Sequence, residues 1–218
     1  LTFEAGEVTT NFAVGDITVD GDNLSVLTTN GNGTTYTATF TPTGDGATTI
    51  DVGAGTFTDA SSNNNTAATQ FNWTFDSTGP SMTITAAGVA DGATSNNATL
   101  ALTFEAGEVT TNFAEGDITL AGGNLSNFAA NGNGTTYTAT FTPTGDGATT
   151  IGVEAGRFTD ASDNTNTAAT QFNWTFESTC PSMTITADGF ADGPTSNATT
   201  LALTFEACYV STNSNIEQ

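Results

Sequence analysis

The sequence predicts an all-β protein of tandem antiparallel β-sandwiches, and three observations carry that prediction. The first is an internal repeat. LTFEA stands at residues 1–5, 102–106 and 203–207, a constant period of 101 residues (102 − 1 and 203 − 102). Tyr36 and Tyr137, Asp59 and Asp160, Trp73 and Trp174, and Pro80 and Pro181 keep the same spacing. A period of that size is one small domain and too long for a solenoid unit. The second observation is the alternation of apolar residues with Thr, the period-2 pattern of a half-buried strand. The third is the punctuation between these runs, clusters of Gly, Asn and Asp that mark turns.

The middle repeat supplies the elements in order. SMTIT (81–85) and ATLALTFE (98–105) flank the turn cluster ADGATSNN. DITL (117–120) and NLSNFA (124–129) are separated by AGG. NGNG precedes TYTATFTP (136–143), TGDG precedes ATTIGVE (148–154), and DASDNTN precedes TQFNWTFE (170–177). Each run is rich in β-branched or aromatic residues. About seven short strands per repeat predict an immunoglobulin-like sandwich, with a barrel as the alternative. The alternation assigns faces: Tyr137, Ala139 and Phe141 share one side of their strand, as do Phe172, Trp174 and Phe176. Trp174 is therefore a core residue rather than a sugar-stacking one, and the Thr face suits solvent. The units run 1–77 (a first sandwich without its initial strand A), 78–178 (a complete second sandwich) and 179–218 (strands A and B of a third, plus a tail).

The charge is extreme. One basic residue, Arg157, faces 23 acids, with no Lys or His, for a net −22. Nucleic acid and anionic membrane surfaces are excluded as partners, because both need cations on the protein. Self-repulsion at this charge costs stability unless salt screens it or divalent cations bind. Both conditions point outside the cytoplasm. No run approaches the roughly 18 apolar residues of a membrane span. No leader pattern is visible, and since Leu1 falls inside a repeat, a leader would have been lost by processing or truncation.

The stretches STGPSMTIT, LALTFEAGEVTTNFAEGDITL, YTATFTPTGDGATTI and GRFTDASDNTNTAATQFNWTF resemble the bacterial Ig-like repeats of large surface and biofilm-associated adhesins. The resemblance extends to about Val210. It implies exported strings of sandwiches, in company with copies of themselves or neighbouring repeats, and often stiffened by Ca²⁺ between domains.

Strand order supplies an independent argument for Ca²⁺. With seven strands reversing in turn, the B–C loop, the F–G loop and the incoming linker meet at one pole. In the second sandwich they bring Asp76 from the linker, Glu105 and Glu108 at the end of strand B, and Asp160, Asp163 and Asn164 from DASDN. Hard oxygen ligands from three distant segments suit Ca²⁺ better than Mg²⁺. Counterparts one repeat away are Glu4, Asp59 and Asn63 on one side and Glu177 and Glu206 on the other; Ser62 replaces Asp163, which weakens the first set. The alternative is that these are solvated loop acids. Asp45 and Asp146 of TGDG lie at the opposite pole and read as turn formers, as do Asp91 and Asp192.

Two substitutions mark the third unit. Cys180 replaces Gly79, and Cys208 replaces Gly6 and Gly107. If Ser182 lies opposite Glu206, then Cys180 lies opposite Cys208, and a disulfide between them implies an oxidising compartment. Unpaired or intermolecular thiols are the alternative.

An enzyme is not indicated, since the chain has no His, no Lys and no nucleophile–base set. Three functions stay open: a Ca²⁺-stiffened spacer in an adhesin stalk; a filament subunit in which one chain's C-terminal hairpin completes the next chain's first sandwich; and, more weakly, a ligand- or glycan-binding module. The phase of the repeat also fits a window of a longer array.

Overall fold

The computed structural model describes residues 1–20, 23–187, 193, 195 and 197–207. In the first module β1 (Thr2–Glu4), β2 (Ile17–Val19), β3 (Asn23–Leu24), β4 (Thr28–Thr29), β5 (Thr35–Thr37), β6 (Phe40–Thr41), β7 (Gly46–Val52) and β8 (Phe71–Phe75) follow one another. The second contains β9 (Met82–Ala86), β10 (Ala93–Ser95), β11 (Leu100–Ala106), β12 (Ile118–Ala121), β13 (Gly123–Ala130), β14 (Thr136–Pro143), β15 (Gly147–Val153) and β16 (Phe172–Phe176). Then come β17 (Met183–Ala187) and β18 (Leu203–Ala207). Helix is confined, among the described residues, to two 3-10 turns, Val14–Asp16 and Glu115–Asp117.

The second module shows the architecture whole: two sheets, β13-β14-β11-β9 and β10-β16-β15-β12, face each other as a sandwich. Alternation fixes what lies between them. Leu100, Leu102 and Phe104 of β11, Tyr137, Ala139 and Phe141 of β14, and Phe172 and Trp174 of β16 are all buried, while the intervening Thr residues face outward. Burying each large side chain contributes about 1.5–3 kcal/mol. Phe113 and Phe158, from the two long loops, close the core at one pole, with ring centroids 5.0 Å apart. Buried polar groups are paired: the Tyr137 hydroxyl lies 2.6 Å from Thr110 Oγ1, and Thr149 Oγ1 donates to the Trp174 carbonyl.

One element departs from the sequence expectation. The cluster ADGATSNN is not wholly a turn, because Ala93–Ser95 forms β10 and pairs in parallel with β16. The first edge is therefore shared: β9 pairs with β11 in one sheet, then the chain crosses to the other. Asp91 sits at that crossing, where its Oδ1 accepts the Asn173 N–H and the Asn173 side-chain amide.

The first module repeats the plan with shorter strands, in sheets β1-β5-β4, β2-β7-β8 and β3-β6. Where β13 and β14 run unbroken, their counterparts divide into β3 with β4 and β5 with β6.

The β17–β18 hairpin corrects the assumed register. Met183 pairs with Ala207 and Thr184 with Glu206, so Glu206 lies opposite Thr184 and not Ser182. That is the register of β9 on β11, moved by one repeat. Cys180 is exposed; Cys208 lies outside the described residues, and the proposed disulfide with it.

Candidate metal centre at the joint between modules

Three of the expected acids converge. Asp76 lies in the segment joining β8 to β9, Glu108 two residues beyond β11, and Asp160 in the loop between β15 and β16. One carboxylate oxygen from each falls within 4.8 Å of the others. Asp160 is buried, and Asp76 and Glu108 are half-buried. The loop is built to hold Asp160 as an anion. Its Oδ1 accepts the N–H groups of Ser162 and Asn164 at 2.8 and 2.9 Å, and its Oδ2 accepts the Asn164 amide. Burial raises the Asp160 carboxyl, but these hydrogen bonds outweigh it and hold the group below its ordinary value. Glu108 has the opposite balance. Burial first, then the charges of Asp76, Asp160 and Asp45, push its carboxyl up.

The same loop grips the linker. Ser162 Oγ donates to Asp76 Oδ2, and the Asn164 amide donates to the Asp76 carbonyl, both at 3.2 Å. From the other side, Asp45 of the first module accepts the Ser77 N–H, the Ser77 hydroxyl and the Thr78 hydroxyl. Asp146 treats Ser178 and Thr179 identically. Hydroxyl donors, Thr78 foremost for Asp45 and Thr179 for Asp146, hold both carboxyls below their ordinary value. These two acids therefore do more than form turns: each ties the outgoing linker to its own module. A recurring Ser-Thr pair after each final strand was the sequence signal for that contact.

The other expected ligands lie apart. Glu105 is exposed on the outer face of β11, between Thr83 and Thr136, because Phe104 beside it points inward. Glu4 has the same place on β1, opposite Thr35. Asp163 is exposed with φ 65°, a left-handed position shared by Ser62 at φ 69°. Both residues thus hold the same loop backbone, and Asp163 is not among the three grouped acids. The Asn164 amide nitrogen donates to the Asp76 carbonyl and to Asp160 Oδ2. Asp59 and Asn63 repeat the loop pattern, with Asp59 accepting the Ser61 and Asn63 N–H groups. Asp59 is held low by the Asn63 amide first and then by the Asn63 and Ser61 N–H groups. Glu177 occupies the place of Asp76 at the next joint and accepts the Thr179 N–H, but Tyr209 stands where Glu108 would be.

The charge at the joint has no protein counter-ion. Arg157 is the sole basic side chain in the sequence, and it pairs with Glu154. The grouped donors are carboxylate oxygens from three chain segments, without nitrogen or sulfur among them. That chemistry fits a hard divalent cation and does not fit zinc or copper.

Tandem sandwiches with an acidic joint define a class of repeat module. The chain belongs to the bacterial Ig-like domain family, which matches residues 1–75 and 76–176. Among solved structures it is similar to the Escherichia coli adhesin FdeC, at 19% identity and TM-score 0.42 over 92% of this chain and 63% of that one. It is also similar to Yersinia pseudotuberculosis InvD, at 18% identity and TM-score 0.41 over 85% of this chain and 56% of that one. The chain thus spans less than two thirds of either. A search of curated proteins finds no match. No described helix is long and apolar enough to cross a membrane.

Proposed function

We propose that this chain is a non-enzymatic, extracellular structural segment of a bacterial adhesin or surface fibre, in which Ca²⁺ stiffens the joint between successive sandwiches. The observation that carries the reading is the convergence of Asp76, Glu108 and Asp160 where the linker enters the second module. A cation there would be held by the linker and by two segments of the second module, so binding would couple linker conformation to that module. Asp45 already fixes the linker to the first module. The two sets of contacts fall on adjacent linker residues, Asp76 toward the second module and Ser77 toward the first, and the cation would reinforce the former.

Near-identity of the modules favours a spacer over a dedicated ligand- or glycan-binding module, whose site would distinguish one copy from the next. Small-angle scattering of the whole chain tests the joint. The expected result is a single inter-module geometry in millimolar Ca²⁺ and a broad distribution in chelator. Identical distributions in both, at equal ionic strength, would remove the cation from the proposal.

A further inference from the structure

The turn NGNG occurs in both modules, at residues 30–33 and 131–134, and supplies four Asn-Gly pairs. Such a pair can react with itself. The Gly nitrogen attacks the Asn side-chain carbonyl carbon. The side-chain nitrogen leaves as ammonia, taking the proton shed by the Gly nitrogen, and a cyclic imide remains. Water then opens either imide carbonyl and yields aspartate or isoaspartate, whose backbone runs through the former side chain. Water is the only co-reactant. Glycine favours the step because no Cβ obstructs the approach. The step also needs a Gly N–H that is not already donating and an Asn side chain free to turn.

The four pairs differ on both counts. Asn32 and Asn133 are fixed. Asn32 Oδ1 accepts the Thr34 and Thr35 N–H groups at 2.8 and 2.9 Å, and its Nδ2 donates to the Thr35 hydroxyl. Asn133 does the same with Thr135 and Thr136. Their glycines are wedged as well, since a Cβ on Gly33 or Gly134 would lie 2.8 Å from the Val8 or Val109 side chain. Asn30 and Asn131 are exposed, and each side chain is held by one bond, from the N–H of Asn32 or Asn133. Gly31 and Gly132 share φ 86°, so the two turns bend alike. They part at the nucleophile. The Gly31 N–H donates to Thr29 Oγ1 at 3.1 Å. The second module has Ala130 in place of Thr29, and among the described residues the Gly132 N–H meets no acceptor.

We infer that Asn131 is a self-modification site, which the folded chain converts through an imide with Gly132 ahead of its other Asn-Gly pairs. The Asn131 N–H donates to the Thr136 carbonyl and closes the β13–β14 hairpin, so the added backbone carbon of isoaspartate falls at that closure. The turn leans on the segment that follows β11, where the Thr110 N–H donates to the Gly134 carbonyl. The new carboxylate therefore arises at the pole that carries Glu108. The reaction does not depend on the cation site.

Peptide mapping of the full chain after incubation at mildly alkaline pH, with fragmentation that separates aspartate from isoaspartate, tests this. Asn131 should convert about fivefold faster than Asn30, the factor that one hydrogen bond on the nucleophile is worth. Both should outrun Asn32 and Asn133. Two variants exchange the distinguishing residue between modules and so keep the turn intact. Ala130→Thr should slow Asn131 to the rate of Asn30, and Thr29→Ala should raise Asn30 to the rate of Asn131. In urea, where the fold no longer acts, Asn30 and Asn131 should react alike. Equal rates at Asn30 and Asn131 in the folded chain would overturn the proposal, as would a difference that persists in urea or an Asn131 rate that Ala130→Thr leaves unchanged.

Discussion

Glu108→Gln should reverse the rank order of melting temperatures between chelator and Ca²⁺. Without a cation, burial and then the neighbouring Asp76, Asp160 and Asp45 charges raise the Glu108 carboxyl, so its ionised form opposes folding near neutral pH. An amide of the same shape removes that opposition, and in chelator the variant melts at or above the wild-type temperature. With Ca²⁺ the order inverts, because the variant has lost one of three carboxylates. The geometry sets the magnitude. Three carboxylates, with Asp160 already accepting three hydrogen bonds, describe a weak extracellular-type site, with Kd about 10⁻⁴–10⁻³ M. At ~10 mM Ca²⁺, occupancy then stabilises the folded state by about 1.4–2.7 kcal/mol. A domain of this size shifts by about 4–8 °C per kcal/mol, so the second module should melt roughly 6–20 °C higher. The variant should gain a few degrees at most. Scanning calorimetry is the assay. Ionic strength must be matched with NaCl, because screening alone stabilises a chain of net charge −22. Equal rises in both proteins, or no rise in the wild type, would refute the site.

Further outcomes rest on the same geometry. Gly79→Ala places a methyl where the Thr165 carbonyl stands, and urea denaturation should show a loss of about 1–3 kcal/mol; wild-type stability would show the backbone yields freely. Asp45→Ala frees the linker from the first module, and the Ser77 amide should exchange hydrogen at least about tenfold faster while β7 amides keep their protection. The pH profile should have two opposed limbs. Asp45, Asp59, Asp146 and Asp160 are held low, so their stabilisation is present above about pH 4 and is lost as pH falls through their lowered values. Glu108 is raised, so protonating it on the way down from neutral pH favours folding, and Glu108→Gln should abolish that acid-side gain.

Much of this architecture was legible in the sequence because strand alternation is a local signal. Tyr137, Ala139, Phe141 and Trp174 are buried as their spacing predicts, and the constant period carried that reading across the modules. β10 escaped because its Ala-Thr-Ser carries no apolar alternation; parallel pairing with β16 and the Trp174 Nε1–Ser95 Oγ hydrogen bond hold it in place. The joint was legible as a meeting of three segments, but not in its membership. Glu105 and Glu108 stand on opposite sides of the strand end: β11 runs to Ala106, which sends Glu105 outward, and the turn beyond it brings Glu108 back to Asp76 and Asp160. Asp45 and Asp146 looked like turn residues because their partners, Ser77 with Thr78 and Ser178 with Thr179, lie over thirty positions away. Only the folded chain sets them side by side.

The parallel pairing of β10 with β16 has a mechanical meaning. Tension along a string of these modules enters the second one through the linker ahead of β9 and leaves through the end of β16. β10 and β16 are neighbours running the same way, joined over Ala93–Ser95 and extended by the bonds Gly92 N–H to Asn173 O and Glu177 N–H to Ser95 O. Pulling the two ends apart loads all of these bonds together in shear, where an antiparallel terminal hairpin would peel open one bond at a time. In a string under tension, the short strand hidden in a turn-like stretch of sequence would carry this shear load.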